Sequence, residues 1–241
     1  MNKKKLFIFP HAIGGASSYI NLEKQLNHLI KVKRMEYPGH GSRFKEKLMC
    51  SIKDMADDAY VQIKDSLESG YCLLGYSMGG LVCYELYHRI KKDKKRLPDV
   101  IFLMGVEAPC SVNRIFDCDN MKMEQAIKIL KDMNATPNAI LDNKDMMLLL
   151  FDLVKNDYKA IEYYEPTDCD IGKIESKVLL IHGSKEENLE KSQMEWSRYT
   201  STECNRYIFN GDHFFLFGQE NSIAKLISDE ILNYGKVCEA L

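Results

Sequence analysis

Short apolar runs and amphipathic segments alternate along most of the chain. The apolar runs predict β-strands at residues 4–9, 32–37, 71–75, 99–104, 177–182 and 204–209. Between them, apolar residues recur every three or four positions, which predicts helices at residues 17–30, 52–67, 78–92, 190–200 and 220–234. Strands that alternate with helices are typical of an α/β fold. We therefore expect a mostly parallel, twisted sheet with helices on both faces.

The alternation stops between Cys110 and Asp170. Two helical patterns occupy this stretch, at residues 122–133 and 144–163, and neither is followed by a strand signal. Insertions of this length in compact proteins usually cover a site. We expect one domain, residues 1–241, with a helical lid insertion at approximately residues 111–168.

Composition excludes several classes of protein. Apolar residues make up 45% of the chain and the net charge is −2, so neither disorder nor a nucleic-acid partner is expected. No apolar stretch approaches the ~20 residues of a membrane span, so no membrane partner is expected. The eight cysteines lack metal-binding spacing, and Cys72 and Cys83 fall in apolar runs. Buried thiols and the absence of a signal-peptide pattern indicate a cytoplasmic protein. The cysteine spacing indicates that no metal site is present.

The strongest chemical signal is Gly75-Tyr76-Ser77-Met78-Gly79. This G-x-S-x-G pattern lies between a predicted buried strand and a predicted helix, the context of a nucleophile elbow. In such an elbow the serine occupies a sharp turn, and glycines two positions away on each side avoid collisions between strand and helix. The sequence therefore predicts Ser77 as a nucleophile.

A serine hydroxyl needs a base, and elbows of this kind are followed along the chain by an acid and then a histidine. Of the six histidines, only His182 and His213 lie far enough beyond Ser77. His213 follows the apolar run at residues 207–209 and is the predicted base. His182 ends an apolar run, and we interpret it as a structural histidine at a strand end.

The acid that orients the base should follow the strand before His213. Glu186, three residues after Gly183, is the first choice, and Glu187 directly behind it is an alternative. Glu107, at the end of the strand that follows the elbow helix, is a third candidate because some hydrolases place the acid there.

Acyl transfer also needs donors for an oxyanion. The backbone N–H of Met78, directly after the nucleophile, is one expected donor. The second is expected from residues 10–15, a loop with paired glycines after the first predicted strand.

Four ordered motifs resemble a known family, the type II thioesterases, which are the stand-alone editing enzymes of nonribosomal peptide and polyketide synthases. The motifs are Phe9-Pro10-His11-Ala12 with Gly14-Gly15, Tyr37-Pro38-Gly39-His40-Gly41-Ser42-Arg43, Gly75-Tyr76-Ser77-Met78-Gly79 and Gly211-Asp212-His213-Phe214-Phe215-Leu216. The resemblance covers the chain from about Leu6 to Leu226. It implies an α/β-hydrolase fold.

The resemblance also implies roles for individual residues. It makes Ser77 the nucleophile, His213 the base, and the amides of Ala12 and Met78 the oxyanion donors. Glu186 matches the family's acid position, where aspartate is usual. Two further positions depart from the pattern: Ile13 stands where glycine is usual, and Tyr76 stands where histidine is usual.

The implied activity is hydrolysis of acyl or aminoacyl thioesters through an acyl-enzyme. The substrate would be carried on the phosphopantetheine arm of an acyl or peptidyl carrier protein, and no cofactor is implied. Two alternatives stay open. One is a general small-molecule esterase or lipase of the same fold, and the other is a catalytically silent protein that binds an acyl ligand.

Overall fold

A six-stranded parallel sheet forms the centre of the protein, with strand order β2-β1-β3-β4-β5-β6. The computed structural model describes residues 3–26, 28–112, 116–133, 141–168 and 172–239. The strands are β1 (Lys5–Phe9), β2 (Lys31–Arg34), β3 (Tyr71–Tyr76), β4 (Val100–Met104), β5 (Lys177–Gly183) and β6 (Cys204–Phe209). Every adjacent pair is parallel, so the predicted α/β architecture is confirmed.

Helices cover both faces of this sheet. They are α1 (Ile20–Leu26), α2 (Ile52–Ile63), α3 (Met78–Lys92), α4 (Met123–Asp132), α5 (Lys144–Glu162), α6 (Leu189–Trp196) and α7 (Glu220–Glu239). Helix α3 has the predicted bounds. The helix predicted at residues 17–30 is shorter, because it starts as a 3₁₀ turn at Ala16–Tyr19 and ends at Leu26, where the Leu26 carbonyl accepts the amides of both Leu29 and Ile30.

Burial along the strands explains the sheet order. All positions of β3 and β4 are buried, as expected for central strands covered on both faces. Strands β2 and β6 are mostly half-buried or exposed and form the two edges. The strand predicted at residues 32–37 ends at Arg34, and the chain then turns away at Gly39, which has φ +82°.

Alternate residues of the strands contribute to two cores. Phe7, Leu73 and Ile101 pack on the side of α2 and α3, whereas Leu6, Leu74 and Phe102 pack on the side of α1 and α7. Cys72 and Cys83 are buried free thiols, as predicted. Every helix in the described ranges is too short or too polar to cross a bilayer.

The predicted insertion contributes α4 and α5, which confirms both helical patterns there. Its residues 113–115 and 134–140 lie outside the described part of the chain. The two helices share a small apolar core that includes Leu130, Met147 and Val154. Helix α5 begins at an Asn143 cap, whose side chain accepts the amides of Asp145 and Met146.

Glu85 anchors the end of this insertion to the main body. Its carboxylate, on α3 and 5% exposed, accepts hydrogen bonds from the Tyr164 hydroxyl (2.7 Å), the Thr167 amide (2.8 Å) and the Thr167 hydroxyl (2.6 Å). These donors belong to the segment directly after α5. One buried carboxylate therefore fixes the return of the chain from the insertion.

Replacing Glu85 by alanine should lower the free energy of unfolding by ~2–4 kcal/mol, because the Tyr164 and Thr167 donors lose their acceptor in a buried place. Chemical denaturation of both proteins measures the difference. Asp229→Ala is the control, since it removes an exposed pair with Lys225 on α7 and should change stability little. Equal stabilities of Glu85→Ala and wild type would contradict the anchoring role.

Candidate active site

Ser77 occupies a strained turn between β3 and α3. Its backbone has φ 53° and ψ −119°, and its amide donates to the Met104 carbonyl at 2.8 Å. A Cβ atom on Gly75 would collide with the Gly79 carbonyl, and one on Gly79 would collide with the Phe9 carbonyl of β1. The steric reason for the two elbow glycines is therefore confirmed, and the close packing holds Ser77 at the end of the central strand.

Ser77, His213 and Glu186 form a continuous chain of hydrogen bonds. The distance from His213 Nδ1 to Glu186 Oε1 is 2.7 Å, and that from His213 Nε2 to Ser77 Oγ is 3.0 Å. Because an ionised carboxylate only accepts, Nδ1 carries the imidazole proton. Nε2 is then left as the acceptor for the Ser77 hydroxyl, which is the arrangement that a general base requires.

The second oxygen of Glu186 is also fully engaged. Oε2 accepts from His182 Nδ1 at 3.0 Å and from the Gly183 amide at 2.9 Å. Burial opposes ionisation, but the hydrogen bonds from His182 and His213 outweigh it and lower the pKa of Glu186 to about 2. Glu186 is therefore a carboxylate at neutral pH. His182, interpreted from the sequence as a structural strand-end residue, lies at the end of β5 and donates to Glu186.

Two further residues beside His213 were not predicted to matter. The Tyr76 hydroxyl donates to the His213 carbonyl at 2.6 Å and so fixes the loop that carries His213. Gly105 follows β4 with φ +53°, and a Cβ there would lie 3.2 Å from His213 Cε1 and 3.3 Å from Glu186 Oε1. The sequence does show Gly105 as a glycine at the end of a buried strand. That strand, β4, lies next to β3, which leads to the elbow.

The loop after β1 contributes Ala12 beside Ser77. A turn closed by the Gly14 amide and the His11 carbonyl (3.1 Å) places Ile13 at φ +68°. Glycine is the usual residue at such a position, and a β-branched side chain there stores ~1–3 kcal/mol of strain. The Ile13 amide donates to Asp157 Oδ2 at 2.6 Å, so a side chain of α5 holds the turn.

His11 fixes the other flank of this loop. Its amide donates to the Tyr19 hydroxyl at 3.1 Å, and its Nδ1 lies 2.8 Å from the same oxygen. Burial, together with the nearby His213, lowers the pKa of His11 to about 4. His11 is therefore neutral, and its Nδ1 accepts the tyrosine proton.

Two pockets meet at Ser77 and His213. The first, of about 460 Å³, is bounded by Ala12 and Met78 and by apolar side chains of the insertion. Those side chains are Val112, Phe116, Tyr158 and Ile161. The second, of about 300 Å³, is lined by Ile129 and Met133 near the end of α4. The alternative acids Glu107 and Glu187 line the first pocket as exposed residues, whereas Glu186 is the carboxylate bonded to His213 Nδ1.

Solved structures share this fold over nearly the whole chain. A structure of ClbQ from the colibactin NRPS/PKS pathway superposes with a TM-score of 0.88 at 22% identity, covering 98% of this chain and 100% of that one. YbtT, a type II thioesterase from the yersiniabactin NRPS/PKS biosynthetic pathway, superposes with a TM-score of 0.84 at 20% identity, covering 97% and 94%.

Sequence comparison also finds similarity over most of the chain. The gramicidin S biosynthesis protein GrsT of Aneurinibacillus migulanus is 26% identical over 236 residues, which is 95% of this chain and 89% of that protein. The thioesterase domain family matches residues 4–231. That span includes both pockets and the hydrogen-bonded chain from Ser77 to Glu186, and the protein therefore belongs to the thioesterase domain family.

Proposed function

We propose that this hydrolase is a type II thioesterase that removes acyl or aminoacyl groups from the phosphopantetheine arm of a carrier protein. The observation that carries the proposal is the hydrogen-bonded chain Ser77–His213–Glu186 at the junction of two pockets. Membership of the thioesterase family makes the scissile bond a thioester. The biosynthetic pathways of GrsT, ClbQ and YbtT support a carrier-bound substrate.

In the proposed mechanism, Ser77 Oγ attacks the thioester carbonyl carbon while His213 Nε2 takes its proton. Glu186 stabilises the imidazolium that forms and keeps the ring in place. The tetrahedral intermediate expels the thiolate, which takes the proton from His213. A water molecule then gives a proton to the same histidine and attacks the acyl-enzyme carbonyl. When this second intermediate collapses, Ser77 Oγ leaves and takes the proton back from His213, and the acid is released.

The oxyanion of each intermediate is assigned to two backbone amides. Met78 is the first residue of α3, where amides have no partner within the helix and the helix dipole favours negative charge. Ala12 lies in the turn after β1 and lines both pockets together with Ser77. Preorganised donors of this kind are worth ~10²–10³ in turnover each.

The two pockets suit the two arms of a thioester. One would take the acyl group and the other the pantetheine arm, with the carbonyl carbon between them at Ser77. Side chains of the insertion line both pockets, which supports residues 111–168 as a lid on one domain of residues 1–241. Lid residues 113–115 and 134–140 lie outside the described ranges. The proposal includes a cytoplasmic location, where carrier proteins and a reducing environment are found together.

Replacing Ser77 by alanine should lower thioester hydrolysis at least ~10³-fold, because the nucleophile is lost while the pockets remain. His213→Ala should be of similar severity, since the two residues act as one unit. Turnover is measured on acyl carrier substrates, with circular dichroism as the check on folding. A fluorophosphonate probe should label wild type at Ser77 and leave Ser77→Ala unlabelled. A folded Ser77→Ala protein with more than a few per cent of wild-type turnover would contradict the assignment.

Three glutamates are candidates for the acid, and the kcat values of their glutamine variants distinguish them. Glu186→Gln should lower kcat by ~10²–10⁴, because a neutral amide neither stabilises the imidazolium nor fixes the His213 tautomer. Glu187→Gln and Glu107→Gln are matched controls in the same pocket and should stay within about threefold of wild type. Steady-state kinetics of the three variants decide the question, and a ranking with Glu107→Gln as the most damaged would move the acid to the end of β4.

Carrier-bound substrates should be hydrolysed at least ~10-fold better, in kcat/KM, than the same acyl group on N-acetylcysteamine. Contacts with a carrier far from the reacting bond help to orient the thioester at Ser77. The comparison uses acetyl or aminoacyl carrier protein, the matching N-acetylcysteamine thioester and a p-nitrophenyl ester. Comparable values for all three would favour a general small-molecule esterase.

A further inference from the structure

A buried carboxylate on the insertion contacts the loop that carries Ala12. Asp157 lies on α5 with no exposed surface. Its Oδ2 accepts the amide of Ile13 at 2.6 Å and lies 2.9 Å from His40 Nε2. Asp157 is separated from these two residues by 144 and 117 positions, so the contact joins distant parts of the chain at one oxygen atom.

The hydrogen bonds of His40 define the charge of this group. His40 Nδ1 lies 3.1 Å from the Pro38 carbonyl, and Nε2 faces Asp157 Oδ2. Both partners are acceptors, so both ring nitrogens carry protons when Asp157 is ionised. Burial lowers the pKa of His40, but its contacts with Asp157 outweigh burial and raise the pKa overall. The result is a buried His40–Asp157 pair whose shared carboxyl oxygen also accepts a backbone amide.

Ile13 needs such a restraint because its backbone is strained. Its φ of +68° lies in the region that glycine favours, and its β-branched side chain disfavours that region further. Without a fixed acceptor for its amide, the turn would relax toward ordinary backbone angles. The hydrogen bond that the Ile13 amide donates to Asp157, which His40 holds in turn, keeps the strained turn populated.

Ala12 lies between two restrained amides. On one side the His11 amide donates to the Tyr19 hydroxyl, and on the other the Ile13 amide donates to Asp157. Fixing both neighbours fixes the orientation of the Ala12 N–H. The His40–Asp157 pair thus acts on the backbone donor assigned to the oxyanion. A buried ion pair is weak evidence of a contribution to stability alone, since apolar replacements are often equally stable.

We propose that Asp157, held by His40, is a positioning residue for the oxyanion hole: it keeps the strained turn at Ile13 in the conformation that aims the Ala12 amide at the transition state. This inference rests on the proposed function. It places part of the catalytic geometry on a helix of the insertion, so oxyanion stabilisation depends on how α5 packs against the loop after β1.

The first test compares binding of the transition state with binding of the ground state. Asp157→Leu should lower kcat ~10–100-fold and leave KM within about threefold, because one donor is misplaced while the pockets remain. The affinity for an alkylboronic acid, which forms a tetrahedral adduct on Ser77, should fall by a similar factor. The affinity for an S-alkyl pantetheine thioether, a ground-state analogue, should stay within about twofold.

Two variants control for simple destabilisation. Asp157→Asn keeps an oxygen that can accept the Ile13 amide, so its activity should lie between those of wild type and Asp157→Leu, and it carries the test if Asp157→Leu does not fold. Glu85→Leu removes another buried carboxylate that contacts the insertion but not the loop. It should lower stability without changing the ratio of boronate to thioether affinity.

A double-mutant cycle tests the link to backbone strain. Ile13→Gly introduces the residue that adopts positive φ without strain, so the turn needs less help from Asp157. Asp157→Leu should therefore cost at least fivefold less in kcat in the Ile13→Gly background than in wild type. An equal cost in both backgrounds would overturn the proposal, as would boronate and thioether affinities that fall together.

Hydrolysis and boronate binding, measured on wild type and on Ser77→Ala, distinguish failure of the positioning role from failure of the proposed serine mechanism. If wild type hydrolyses thioesters and binds the boronate but folded Asp157 variants match it, only the positioning role fails. If wild type neither hydrolyses thioesters nor binds the boronate through Ser77, the serine mechanism fails and the positioning role fails with it. A parallel loss of kcat and boronate affinity in Asp157→Leu, with the thioether retained, is the expected result.

Discussion

Close backbone packing at the elbow is the constraint on which the site depends. Gly75 and Gly79 bring β1, β3 and α3 so close together that a methyl group at either position would overlap a carbonyl. This contact forces Ser77 into a conformation with φ 53°. It also brings the loop after β1 next to Ser77, because Phe9, the last residue of β1, lies against Gly79. Close packing at two glycines therefore positions Ser77 and the neighbouring loop together.

The length of the Glu186 side chain suits the partners that surround it. Its longer side chain directs one oxygen to His213 and the other to the Gly183 amide and His182. An aspartate at this position would be one methylene shorter, and could not span the same partners unless the loop moved toward His213. Gly105 provides the space, since a side chain there would approach both the acid and the base. The longer side chain of Glu186 therefore fits because His182 bonds one of its oxygens and Gly105 leaves space beside the other.

The parts of the molecule that could be predicted from sequence are those governed by local patterns. Most strand positions and the bounds of α3 follow from apolar runs and from the elbow motif, because apolar periodicity is set by which faces are covered. The hydrogen bonds of His182 and Asp157 could not be predicted in this way. His182 lies four residues from Glu186, and a loop conformation that no periodic pattern specifies brings the two side chains together. Asp157 contacts Ile13, 144 positions away, and His40, 117 positions away, and only tertiary packing brings these residues together.

Ile13 stands where the motif usually has glycine, and a residue of the insertion, Asp157, contacts its amide. A glycine at this position would adopt the turn without assistance, whereas isoleucine requires an external acceptor for its amide. Asp157 supplies that acceptor from α5, and His40, from the Pro-Gly-His-Gly motif, contacts the same carboxyl oxygen within the core. Backbone strain at Ile13 and burial of the His40–Asp157 pair are each unfavourable on their own. The helix that supplies Asp157 also lines both pockets through Tyr158, so the turn beside Ala12 and the walls of the pockets share one element, α5.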